Sequence, residues 1–70
     1  NLMADAFQRT LVRMLAHLDQ IDAGVEQVHS ACIGSPLEKC ADTMRESTWQ
    51  MRGAVEKSLR NSQPPPGNGD

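Results

Sequence analysis

His29, Cys32 and Cys40 are the residues near the middle of this chain whose side chains could ligate a metal or act as nucleophiles. On a helix, His29 and Cys32 stand one turn apart and share a face. A Cys-His pair becomes catalytic only with an oxyanion site, a cleft and a third orienting group, and a pair of helices supplies no such concavity. Structural zinc needs four ligands, usually from paired short spacings such as CxxC or HxxxH. No second pair exists here, and Asp22 or Glu26 would be an awkward fourth ligand. The expectation is no metal, no cofactor and no enzymatic activity. Cys32 and Cys40 flank a turn, which leaves two fates, an intrachain disulfide or a pair of free thiols packed as small hydrophobes; the free pair is expected.

Other side chains suit binding rather than reaction. Trp49 is one of only two aromatics, and Arg45 and Arg52 sit four residues before it and three after, on the same side of a helix. A large apolar ring between guanidinium groups is the composition of protein-interface hot spots. Arg45, Trp49, Arg52 and Glu56 are therefore the predicted partner-binding surface. Asp19, Asp22 and Glu26 line one flank of their helix and read as a solvated acidic face rather than an acid/base pair. Arg9, Arg13, Arg52, Lys57 and Arg60 would gather at one end of an antiparallel pair, making a basic end that could meet RNA or DNA. The formal charge of −2 and the lack of stacking aromatics weigh against nucleic acid.

The elements that must hold these residues follow from hydrophobic spacing. Alternate steps of three and four from Ala4 meet Phe7, Leu11, Met14, Leu18, Ile21, Val25, Val28 and Cys32 with no polar interruption. In heptad letters, Leu11, Leu18, Val25 and Cys32 fall at a, and Phe7, Met14, Ile21 and Val28 at d. This predicts a helix over about residues 4–33. Gly24 lies inside it at a cost of up to about 1 kcal/mol, and its missing side chain leaves room for a close neighbour. Gly34 then offers the left-handed residue that ends a helix, while Ser35, Pro36 and Glu38 have the N-cap, N1 and N3 identities of a capping box. A turn at 34–35 and a second helix over about 36–61 are expected. Its seam, weaker at Thr48, comprises Leu37, Ala41, Met44, Thr48, Met51 and Val55. Residues 62–70, with three consecutive prolines and two glycines, read as a disordered tail beyond a single helical domain at 1–61.

Seventy residues leave room for one domain and little core, which excludes most enzymes. No stretch approaches the ~18–20 apolar residues that a membrane span requires. The first residues lack a signal-peptide pattern, Met3 is a candidate start that would make Asn1 and Leu2 additions, and a cytoplasmic location is expected. The two apolar stripes are wider than one line of helix contact. An all-α antiparallel hairpin that dimerises into a four-helix bundle is the predicted architecture. In layout it resembles the repressor-of-primer hairpin dimer, and no site residue is transferred from that resemblance. The expected function is that of a small homodimeric protein-binding regulator, an adaptor or inhibitor, with phage or bacterial anti-activators of transcription regulators as the closest analogy. The alternatives are a nucleic-acid-binding hairpin dimer and a structural subunit of a larger helical assembly.

Overall fold

The structure is a computed structural model describing residues 2–62. Two helices, α1 (Leu2–Cys32) and α2 (Glu38–Asn61), pack against each other as an antiparallel hairpin. Across the closed end, His29 Nε2 lies 2.8 Å from Asp42 Oδ1. Across the open end, the Gln8 side-chain amide donates to the Ser62 carbonyl at 3.1 Å. The expected helices and their order are present, α2 ending at Asn61 as expected and α1 at Cys32, one residue short of expectation. The expected disordered tail at 62–70 lies outside the described residues from 63 onward.

The connection differs in detail from the expected two-residue turn. Gly34 does adopt the left-handed conformation, at φ +80°. The Ser35 N–H, however, donates to the Cys32 carbonyl at 2.9 Å and closes the last turn of α1. With that donor spent, the Glu38 carboxylate instead accepts from the Gly34 N–H at 2.8 Å. Ser35 Oγ accepts from the Leu37 N–H at 3.1 Å and donates to the Cys32 carbonyl. The capping residues thus bond within the turn, and α2 starts at Glu38 rather than at Pro36.

The core is a thin line. Leu11, Leu18 and Val25 of α1 and Ala41 and Val55 of α2 are the buried hydrophobic residues, with Leu15 and Leu59 packed at the margin. Lettered afresh from its own seam, α2 has Ala41, Thr48 and Val55 at a, Arg45, Arg52 and Leu59 at e, and Leu37, Met44 and Met51 at d. The hairpin therefore closes along its a and e columns, not along a and d. Phe7, Met14, Ile21, Val28, Leu37, Met44 and Met51, expected in the core or dimer seam, are all exposed in the hairpin. A line of contact between two helices admits two columns from each. Here the second column is e, because Asp22 on α1 and Arg45 and Arg52 on α2 lie there and find opposite charges across the groove. Nor does a neighbouring backbone close on Gly24, where an added Cβ would meet nothing within 4 Å.

Candidate functional site

The predicted binding residues do come together on one flank of the seam. Arg52 stands at e on α2, half-buried, and its Nη2 donates to Asp22 at 2.6 Å and to Asp19 at 2.7 Å on α1. One heptad nearer the turn, Arg45 forms a two-pronged pair with Glu26, its Nε donating at 2.8 Å. His29 and Asp42 supply the next rung. These bonds form a ladder of charge that fixes the register of one helix on the other. Its carboxylates respond. The guanidinium hydrogen bond from Arg52 holds the Asp22 carboxyl below its ordinary range. The Arg45 hydrogen bond does the same for Glu26. Reciprocally, the guanidinium groups of Arg45 and Arg52 are held even more firmly protonated.

Trp49 stands on the same flank and is 71% exposed. It is a wall of two shallow surface grooves. One, about 420 Å³, also involves Asp22, Glu26, Arg45, Thr48 and Arg52; the other, about 340 Å³, runs past Gln50, Arg52 and Gly53 to Glu56. The surface of Arg45, Trp49, Arg52 and Glu56 is thus one continuous patch. What the sequence reading missed is the bond state of its arginines, each already carrying a carboxylate from α1. The heptad letters alone do not give it: Asp19 and Glu26 at b and Asp22 at e face the e column of α2 only because the hairpin closes along a and e.

The remaining candidates are placed as follows. Cys32 and Cys40 are both free thiols, the first half-buried at an a position and the second exposed at g, beyond the d column. Arg52, counted among the cations of the basic end with Arg9, Arg13, Lys57 and Arg60, is committed to Asp19 and Asp22. Among the described residues, His29, Glu38 and Asp42 bring one potential ligand atom each within 4.8 Å of one another at the closed end. Two of those groups already bond to each other, and Glu38 is held by the turn backbone.

Fold and site together define a two-helix hairpin with an ion-pair flank around an exposed tryptophan and an apolar column on the other side of its seam. Compared with known proteins, the chain matches no family model, no curated sequence and no solved structure.

Proposed function

We propose that this chain is a non-enzymatic, protein-binding regulator that works as a homodimer of hairpins. The observation that supports it is the exposed d column. Phe7, Met14, Ile21 and Val28 on α1 form one row; Leu37, Met44 and Met51 on α2 form the other. In both helices d lies on the opposite side of the a column from e, and the ion pairs put the two e columns on the same flank. The two d rows therefore share the other flank and make one apolar face along the rod. An exposed face of this extent is an association surface in a stable protein. A second copy covers it with an identical face, as two-fold symmetry requires, and the result is a four-helix bundle.

This arrangement leaves the ion-pair flank outward in both copies, with Arg45, Trp49, Arg52 and Glu56 available to a different protein. An adaptor or inhibitor role follows from such a division, one face for self-association and one for the target. A nucleic-acid role is less well supported, because Arg52 is neutralised by α1 and the flank that carries Trp49 is rich in carboxylates.

Sedimentation equilibrium at micromolar concentration tests the first half. The wild type is expected at about 15 kDa, twice the 7.7 kDa chain, and Ile21→Asp with Met44→Asp at the single-chain mass. A wild-type protein of single-chain mass with full helical circular dichroism would refute it. The second half is tested by affinity capture from the source cell: Trp49→Ala should remain dimeric and lose the captured protein. A Trp49→Ala protein that dissociates would assign the indole to the dimer seam instead.

A further inference from the structure

The heptad columns that flank the ion-pair ladder collect nearly all the acid of the molecule. On α1, Asp5, Asp19 and Glu26 stand at b and Asp22 at e; on α2, Asp42 and Glu56 stand at b and Glu38 at e. Among the described residues, Glu46 is the carboxylate outside these columns. Against these seven carboxylates the same columns hold two guanidinium groups, Arg45 and Arg52, leaving a balance of −5 on one flank of a chain whose total is −2. The other cations of the helices, Arg9, Arg13, Lys39, Lys57 and Arg60, fall in the c and f columns on the outer backs of the rod. Neutralisation within the ladder is therefore incomplete by design of the register, and the surplus is negative.

Trp49 stands within this field, at b between Asp42 and Glu56. Its ring is the shared wall of two grooves: in one Asp22 and Glu26 stand with Arg45 and Arg52, and in the other Glu56 stands with Arg52. An exposed indole face attracts a cation through its quadrupole, and the negative surplus of the flank as a whole adds Coulomb attraction for the same charge, partly offset beside the ring by Arg45 and Arg52. We propose that this flank docks an Arg/Lys-rich segment of a partner protein, with one basic side chain stacked on Trp49 and neighbouring ones on the surplus carboxylates. The proposal rests on the protein-binding reading above and supplies the chemistry of the partner. Charge complementarity selects a basic polypeptide and repels nucleic acid, and it makes the encounter faster at low ionic strength.

The test is selection of a random-peptide display library on the immobilised full chain, followed by titration of the selected peptides. Trp49 is the sole tryptophan, so its fluorescence reads the site directly. The expected result is enrichment in Arg and Lys over the starting library and a change of Trp49 emission on binding. Affinity measured by calorimetry should fall about tenfold in Trp49→Ala, the scale of losing one cation–π contact. Loss of affinity is also expected in Glu56→Gln with Asp42→Asn, but not in Lys57→Gln with Arg60→Gln. Circular dichroism confirms that each variant is folded. Trp49-dependent peptides that are neutral or acidic would overturn the cationic assignment and leave the protein-binding reading standing. No Trp49-dependent peptide at all would overturn both.

Discussion

Leu18 is 3% exposed and packs with Leu11 and Val55 on the line of contact between α1 and α2. With so few buried side chains, each carries a large share of the packing. Leu18→Ala should therefore cost about 2–5 kcal/mol, the range for truncating a buried leucine. In a molecule of this size such a loss removes most of the folded population. Urea unfolding followed by helical circular dichroism checks it; a midpoint within error of wild type would mean that Leu18 is not a core residue. Trp49 is the opposite case, larger than Leu18 but mostly in water, so its replacement by alanine should leave the midpoint nearly unchanged.

At the scale of the elements, the ladder links helix register to pH. Asp22 and Glu26 are held below their ordinary range in the folded hairpin by hydrogen bonds from Arg52 and Arg45. Above the ordinary carboxylate range, near pH 4–5, both groups are ionised folded or unfolded and their contribution is complete. As pH falls, the unfolded chain takes up protons first, and the contribution is lost on descent through the lowered folded values. The share of the melting temperature owed to these two carboxylates should be level above about pH 5 and decline below that. Arg52→Gln should lower the plateau and make the acid decline shallower, since Asp22 then returns toward its ordinary value. Both effects should shrink in high salt because these groups are exposed and screened. An unchanged acid slope in Arg52→Gln, measured by thermal melts across pH, would show that Arg52 does not hold Asp22.

The same ladder explains how far sequence could be read. Helix content, order, the left-handed Gly34 and the close of α2 at Asn61 were legible, because spacing and turn chemistry are local. The choice of a with e over a with d was not, because Phe7, Met14, Ile21 and Val28 are as apolar as Leu11, Leu18 and Val25. That choice is made between helices, where Asp19, Asp22 and Glu26 meet Arg45 and Arg52. The capping box failed for a similar reason: the Ser35 N–H that it needs is taken by the end of α1. Of the candidate site, the grouping of Arg45, Trp49, Arg52 and Glu56 was legible from helical spacing, and the engagement of the arginines by the other helix was not.

The hairpin formed by the described residues is a rod. Its radius of gyration is 16.6 Å, against about 11 Å for a compact domain of this length. A rod buries little and exposes its sides, and one of those sides is the apolar d face. If a second hairpin covers that face, folding and association are one equilibrium, and stability must depend on protein concentration. Each tenfold increase in concentration should then favour the folded dimer by about 1.4 kcal/mol, which for a folding unit of two such chains raises the melting temperature by about 3–6 °C. Ile21→Asp and Met44→Asp should abolish that dependence, because they place charge in the face that must be desolvated. Trp49→Ala should preserve it, because the b column lies on the other flank. Circular dichroism melts over two decades of concentration separate these outcomes. A wild-type melting temperature that is independent of concentration would mean that two helices, with five buried side chains between them, are stable alone.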